Sequence, residues 1–213
     1  MKKRVIPLLL AVAVLFSLLP ISASAATDAG NSIDSAAPIE VNTKYSDSIC
    51  DGYDIDFFVF TLEQAGTISF TFEHPAVLDQ SDYWRLWIFD DKTEEVYYQA
   101  FNGTDTSTTT CTVGLPAGTF YLKITGCDER WDGYWKRYSN ETYSFKVNYT
   151  ETAYAEREFN ESYDTATEVQ TDRFYSGSIN DGYDYDYYKF TLEKAGTVSV
   201  TFQHPALVSA KDY

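Results

Sequence analysis

Residues 45–83 read YSDSICDGYDIDFFVFTLEQAGTISFTFEHPAVLDQSDY, and residues 175–213 read YSGSINDGYDYDYYKFTLEKAGTVSVTFQHPALVSAKDY. At an offset of 130 residues, 24 of these 39 positions are identical. A shorter upstream match, DSA at 34–36 against DTA at 164–166, has the same offset. A period of this length is typical of one domain per copy, because the repeats of a solenoid are much shorter. The sequence therefore predicts a duplicated domain.

The repeated stretch has the alternating pattern of half-buried β-strands. Phe58, Phe60 and Leu62 share one face, and after a turn at 64–66 the same alternation returns over 67–72. The pattern predicts further strands at 84–89, 96–101, 108–113, 119–125 and 142–149. About eight short strands with turn residues between them, and no helical periodicity, predict an all-β, jelly-roll-like antiparallel β-sandwich that is repeated.

The duplication divides the chain into segments. Residues 26–150 form a complete β-sandwich, called unit one here, and residues 162–213 form a second copy, called unit two. An acidic linker, 151–161, joins them. Tyr213 matches Tyr83, so we expect unit two to be incomplete.

The first 25 residues predict a secretory signal peptide. A basic start is followed by an almost wholly apolar run over 5–19 and by Ala23-Ser24-Ala25, which fits a small-residue cleavage site. The alternative is an uncleaved N-terminal membrane anchor. Cleavage predicts a secreted, extracellular protein with no membrane span and a mature N-terminus near Ala26.

Charge and cysteine content restrict the partners and cross-links. The formal net charge of −16 becomes −19 once the three basic residues of 1–25 are removed, which disfavours nucleic acid and anionic lipid as partners. Of three cysteines, Cys50 and Cys127 are candidates for a disulfide; the alternative is that all three are small buried residues without a bridge.

Several ordered motifs carry a family resemblance. A D-x-D-aromatic-aromatic-x-F-T-L strand occurs at 54–62 and 184–192, and it is followed in unit one by WRLWIFD at 84–90, LPAGTFYLKITG at 115–126 and YSFKV at 143–147. Together these motifs resemble the bacterial pre-peptidase C-terminal domain, to which the collagen-binding domains of clostridial collagenases are similar. The resemblance implies a non-catalytic jelly-roll module that binds a polymer, assists secretion or spaces other domains. It also implies calcium binding through an acidic segment before the first strand.

Unit two has the residue types that calcium requires, which are six to eight hard oxygen ligands. The E-x-E-x-N-E run at 156–161 resembles the acidic segment of the family, and alternate residues of an extended segment point the same way. The alternative is a solvated acidic linker. The candidate calcium ligands are Glu156, Glu158, Asn160, Glu161, Asp181, Asp184 and Asp186.

Unit one lacks the E-x-E pair, and signal cleavage would place a positive α-amino group near Asp28, which opposes a cation. We therefore expect calcium there to be weak or absent. The weaker candidate ligands are Asp28, Asn31, Asp51, Asp54 and Asp56.

Nothing in the sequence predicts a catalytic centre. His74 and His204 occupy matching His-Pro-Ala turns, and neither a G-x-S-x-G nor an H-E-x-x-H motif occurs. The acidic residues lie at strand starts and in the linker rather than in the pattern of a glycosidase cleft. We expect that this chain is not an enzyme.

The segment CDERWDGYWKRY at 127–138 is a candidate recognition loop, because exposed aromatic rings beside arginine are common on binding surfaces. Its candidate ligand-binding residues are Trp131, Tyr134, Trp135 and Arg137. The alternative is a loop folded over the end of the sandwich.

Three functions remain open. The first is a secreted, calcium-stabilised module that binds an extracellular polymer or protein or spaces attached domains. The second is the accessory region of a secreted peptidase or other hydrolase whose catalytic domain lies beyond Tyr213. The third is a carbohydrate-binding or cell-surface adhesion repeat protein.

Overall fold

The computed structural model describes residues 24–25, 29–77, 79–179 and 182–204. Residues 1–23 of the predicted signal peptide, and the candidate ligands Asp28 and Asp181, lie outside the described residues. Within these ranges the single helical element is a 3-10 turn at Ile33–Ser35. No helix there is long and apolar enough to cross a membrane.

The described residues form fifteen β-strands. In chain order they are β1 (Ser24–Ala25), β2 (Ala37–Pro38), β3 (Lys44–Asp47), β4 (Ile55–Leu62), β5 (Gly66–Glu73), β6 (Asp82–Phe89), β7 (Glu95–Asn102), β8 (Ser107–Thr109), β9 (Val113–Leu115), β10 (Gly118–Thr125), β11 (Cys127–Glu129), β12 (Trp135–Arg137), β13 (Tyr143–Glu151), β14 (Thr167–Glu168) and β15 (Tyr188–Lys189).

Unit one is a sandwich of two sheets, as the sequence predicts. One sheet has the order β1-β3-β13-β5-β8, with β9 also pairing with β5, and the other has the order β2-β4-β10-β6-β7. The long strand pairs are antiparallel; only the short strands β1 and β2 pair in parallel with β3 and β4. Two further pairs, β11 with β12 and β14 with β15, lie outside the sandwich sheets.

The core lies between the two sheets because each long strand alternates apolar and polar residues. Phe58 on β4 and Phe145 on β13 are both buried, and their ring centroids are 4.7 Å apart across the interface between the sheets. Trp84 on β6 is the largest fully buried side chain among the described residues, and the His74 ring is tilted against it, with ring centroids 4.2 Å apart. Burying each such side chain stabilises the fold by about 1.5–3 kcal/mol, so this interface supplies much of the folding energy.

Two expectations about unit one need correction. The strand predicted over 108–113 is divided into β8 and β9, because the chain leaves the edge of β5 at 110–112, where the Thr110 hydroxyl accepts a hydrogen bond from Phe70 N at 2.9 Å. Cys50 and Cys127 do not form the candidate disulfide; Cys50 is exposed, whereas Cys127 is buried.

The duplication extends to backbone contacts that the sequence match does not show. The parallel pairing of Ala25 with Ser46 recurs between Ala155 and Ser176. The register of β2 on β4 recurs in β14 on β15, again at an offset of 130 residues. Asn42 and Asp172, which match, both have positive φ angles of about 60°. The start of unit two is therefore folded like the start of unit one.

The later part of unit two differs from its counterpart. Beyond β15, the described residues 190–204 form no strand, whereas the matching residues of unit one lie in β4 and β5. Val200 and Phe202 are 82% and 84% exposed. Their counterparts in unit one, Phe70 and Phe72, are fully buried, because β13 and the second sheet cover them.

Candidate functional site

The segment predicted as an acidic linker is packed against both units, and three of its polar side chains are buried. Glu156, Glu158 and Asn160 are respectively 1%, 6% and 0% exposed. The backbone N–H of Glu156 donates to Ser176 O at 2.8 Å, and that of Glu158 donates to Gly114 O at 3.0 Å. These bonds hold the segment extended, so that the alternate side chains Glu156, Glu158 and Asn160 are all directed into the protein.

Six of the seven candidate calcium ligands of unit two lie within the residues that the structure describes. They are called the acidic site here, and they are Glu156, Glu158, Asn160, Glu161, Asp184 and Asp186. The structure brings Glu158, Glu161 and Asp184 together, with one carboxylate oxygen of each within 4.8 Å of the others. Carboxylate groups at this spacing repel one another strongly unless a proton or a cation lies between them.

Burial and this repulsion together raise the pKa values of the two buried glutamates. Burial, followed by the negative charge of Asp186, raises the pKa of Glu156 to about 8. Burial, followed by the charges of Glu156 and Asp184, raises the pKa of Glu158 to about 9. An acidic group has a pKa this high when no compensating positive charge is close to it. The acidic site therefore favours the uptake of protons or of a cation.

Asn160 supplies an independent indication of a ligand. Its Nδ2 donates to Asp186 Oδ1 at 3.1 Å and lies 3.4 Å from Thr167 Oγ1. Its Oδ1 is buried and has no hydrogen-bond partner. A buried amide oxygen without a donor costs about 1–3 kcal/mol, which coordination to a cation would offset.

Glu156 is oriented by residues of unit two. Its Oε1 accepts hydrogen bonds from Ser178 N at 2.9 Å and from Ser178 Oγ at 3.1 Å. The Tyr188 hydroxyl lies 3.4 Å from the other carboxylate oxygen. These donors fix the side chain but leave lone pairs on both oxygens. Carboxylates together with one amide oxygen form an all-oxygen donor set, which fits a hard cation such as calcium.

In unit one, the corresponding residues are used in bonds within the protein. Asn31 Oδ1 accepts from Ile55 N at 3.0 Å, and Asp54 Oδ2 accepts from Cys50 N at 2.6 Å. The carboxylate of Asp56 accepts a hydrogen bond from the Tyr143 hydroxyl, and both groups are buried. Asp51 Oδ1 accepts from the backbone N–H two residues further along the chain, at 2.7 Å.

Gly30 stands where unit two has Asn160, and unit one has no room for the larger residue. A Cβ atom at Gly30 would lie 2.3 Å from Ser35 Oγ. Unit one therefore lacks the amide ligand as well as the E-x-E pair. Among the described residues, the only group of three acidic side chains close enough to share an ion is the one in unit two.

The predicted recognition loop is the β11–β12 hairpin. Trp131 at its tip is 95% exposed, as expected of a binding residue. Tyr134 is half-buried against Gly52 and lies edge-on to Tyr53, with ring centroids 5.1 Å apart. Arg137 binds Asp128 at 3.0 Å.

The expectation that Trp135 is exposed is wrong, because its side chain is only 2% exposed. It lies on β12, where its own backbone N–H donates a hydrogen bond to Gly52 O, and its ring faces inwards. Trp135 anchors the hairpin and cannot contact a polymer directly.

A second aromatic surface was not assigned a role from the sequence. It lies on the outer face of the β2-β4-β10-β6-β7 sheet, where Trp87 and Tyr98 are cross-strand partners with ring centroids 5.2 Å apart. Lys123 on the neighbouring strand lies over the Trp87 ring at 4.7 Å, and Phe57 is the next partner along the same row. These four residues are called the aromatic row here.

The signal for the aromatic row was present in the sequence. The alternation of β6 places Arg85, Trp87 and Phe89 on the side facing away from the core, and large aromatic residues are unusual on a solvent face. The number of rings on the face depends on strand order, however, which alternation does not predict.

Both histidines lie beside aromatic rings. His74 is buried, its Nδ1 lies 2.8 Å from Pro75 O, and its ring is in contact with Trp84. His204 lies near the exposed ring of Phe202.

Comparison with known proteins gives structural similarities only. No protein-family profile matches the chain, and no curated protein matches it. Among solved structures, it is similar to the pre-peptidase C-terminal domain of collagenase from Bacillus anthracis, with 16% identity and a TM-score of 0.40 over 60% of this chain and 97% of that one.

Two further solved structures are similar over smaller parts of the chain. A ruminal GH26 endo-β-1,4-mannanase matches with 14% identity and a TM-score of 0.32 over 48% of this chain and 19% of that one. A family 35 carbohydrate binding module from Clostridium thermocellum matches with 18% identity and a TM-score of 0.29 over 46% of this chain and 72% of that one.

Proposed function

We propose that the chain is a secreted, non-catalytic binding protein related to the pre-peptidase C-terminal domain, and that calcium stabilises it at the acidic site. The observation that carries the calcium assignment is the buried Asn160 side chain, whose Oδ1 has no hydrogen-bond partner beside a cluster of carboxylates. A calcium ion supplies the positive charge that the cluster lacks and accepts the lone pair of that oxygen. In unit one, the described counterparts Asp51, Asp54 and Asp56 accept hydrogen bonds from protein donors, so we expect calcium there to be weak or absent.

Calorimetry and thermal melting of the full chain, with calcium and with chelator, test this assignment. We expect one ion per chain and a higher melting temperature with calcium, since binding to the folded state alone adds about 2.7 kcal/mol at a hundredfold excess over Kd. Magnesium should substitute poorly, because it demands a smaller octahedral shell.

Two substitutions sharpen this test. Asn160→Ala should lower calcium affinity by about tenfold or more, as removal of groups around a bound metal commonly does. Glu168→Gln is the matched control, because Glu168 is exposed on β14 outside the acidic site. The metal assignment is wrong if calcium produces no heat of binding and no change in melting temperature. It is also wrong if Asn160→Ala binds calcium as tightly as the parent and the control do.

The aromatic surfaces support the binding function itself. Trp131 projects almost completely into solvent, and the aromatic row presents Trp87 and Tyr98 on a rigid sheet. Aromatic rings held in place by neighbouring strands lose little conformational entropy on binding, so they form effective contacts for an extended polymer chain. We propose that the partner is an extracellular polymer bound through these rings.

Retention of the full chain on insoluble polysaccharides and on collagen tests this proposal. Trp87→Ala and Trp131→Ala each probe one of the two surfaces, and loss of retention identifies the surface that is used. Phe202→Ala is the control, because that aromatic ring is 84% exposed and lies outside both surfaces. Unchanged retention in a double Trp87→Ala, Trp131→Ala variant, or no retention of the parent on any polymer, contradicts the proposal.

A further inference from the structure

We propose that unit one holds the calcium-binding segment of unit two in place, so that calcium binding and the docking of the two units are one coupled event. This inference rests on the proposed calcium function. It concerns residues of unit one that are not among the candidate ligands, and it follows from three contacts across the junction.

The first contact is between β9 and the linker. Glu158 N donates to Gly114 O at 3.0 Å, which fixes the backbone midway between the side chains of Glu156 and Asn160. A Cβ atom at Gly114 would lie 2.3 Å from Glu156 O and 2.8 Å from Glu156 Cγ. Only glycine at this position lets the backbone of the acidic segment approach so closely.

The second contact continues from the same edge. Ser178 Oγ donates to Thr112 O at 2.7 Å, and the backbone N–H of Ser178 donates to the Glu156 carboxylate at 2.9 Å. The chain leaves the edge of β5 at 110–112, between β8 and β9, and this exposes the Thr112 carbonyl to unit two. A bond from unit one therefore orients one of the residues that position Glu156.

The third contact is apolar. Phe159, between two candidate ligands, packs against the hydrophobic core of unit one. A small cavity beside it is lined by Glu95 and Val96 of β7 and by Glu158, Glu161 and Asp184 of the acidic site. The acidic site is thus closed on one side by unit one.

These contacts couple two equilibria. The linker is a single extended segment. Its backbone binds unit one, and its side chains form part of the acidic site. If docking raises the affinity for calcium by a given factor, calcium must strengthen docking by the same factor. A change that lowers the population of the docked state therefore weakens calcium binding. Unit one then acts as a positioning element for a metal that it does not ligate.

Calcium calorimetry on Gly114→Ala tests the coupling, with Gly118→Ala as the matched control. A Cβ atom at Gly118 would meet nothing nearer than Phe120 at 3.7 Å, so that variant makes the same chemical change without a clash. We expect Gly114→Ala to bind calcium about tenfold or more weakly, as loss of supporting groups does elsewhere, and Gly118→Ala to bind like the parent. Calcium should protect residues 152–160 from protease in the parent and protect them less in Gly114→Ala.

Phe159→Ala weakens the same junction from the linker side and leaves the strands of unit one unchanged. It therefore tests the coupling even if Gly114→Ala does not fold. It too should weaken calcium binding several-fold. Parent-like affinity in both Gly114→Ala and Phe159→Ala overturns the coupling while leaving the calcium site intact. Absence of calcium binding in the parent overturns the calcium assignment and the coupling with it.

Discussion

Asn160 Nδ2 donates a hydrogen bond of 3.1 Å to Asp186 Oδ1. This contact joins the acidic segment to the residues just before β15 of unit two. The two residues are 26 positions apart in sequence, and their counterparts in unit one are Gly30 and Asp56. There the aspartate binds Tyr143 instead. One duplicated position therefore serves a candidate metal site in one copy and the core in the other.

The bond between Tyr143 and Asp56 predicts a stability effect in unit one. Tyr143→Phe removes the donor from a buried carboxylate, and we expect a loss of about 1–3 kcal/mol in the free energy of unfolding. Tyr149→Phe is the control, because that hydroxyl binds Gln64 O at an exposed position. Urea denaturation of both variants is the measurement, and equal losses would contradict the prediction.

The raised pKa values of Glu156 and Glu158, about 8 and about 9, predict a pH dependence in chelator. Between the ordinary value of 4.5 and these values, the folded chain binds more protons than the unfolded chain. The free energy of unfolding should therefore fall as the pH rises through this window. The stabilisation by calcium should grow over the same window, because ionised carboxylates bind the ion better.

Thermal melts in chelator and in calcium across the window measure this dependence. A variant with both Glu156→Gln and Glu158→Gln should show a flatter profile, because neither amide titrates. A parent profile in chelator that rises with pH would contradict the prediction.

If the signal peptide is cleaved during export, the mature N-terminus should lie near Ala26. N-terminal sequencing of the protein recovered from the culture medium is the measurement. Recovery of the chain in the membrane fraction with Met1 retained would instead support an N-terminal anchor.

The domain boundaries predict different behaviour for the two units in isolation. Residues 26–151 contain every strand of both sheets except the two-residue β1 and should melt cooperatively. Residues 152–213 expose Val200 and Phe202, whose counterparts are covered in unit one, so this fragment should be poorly folded or aggregate. Circular dichroism melts compare the two, and a cooperative monomeric transition for 152–213 would contradict the expectation.

Local patterns in the sequence were sufficient to predict the all-β class, the strand faces and the gathering of acidic residues before unit two. Alternation along β4 and β6 determines which side chains face the core, because successive residues of a strand point to opposite sides. The E-x-E-x-N spacing likewise places three side chains on one face of an extended segment.

Other features depended on contacts between distant parts of the chain. The exposure of Trp131 and the burial of Trp135, four residues apart, follow from the way the hairpin bonds back to Gly52. The aromatic row depends on the order in which four strands pair. The approach of Gly114 to Glu156 joins residues 42 positions apart. Sequence alone determines what each short segment presents on its faces; only the tertiary structure decides which faces meet, because the pairing and packing energies are shared between segments far apart in the chain.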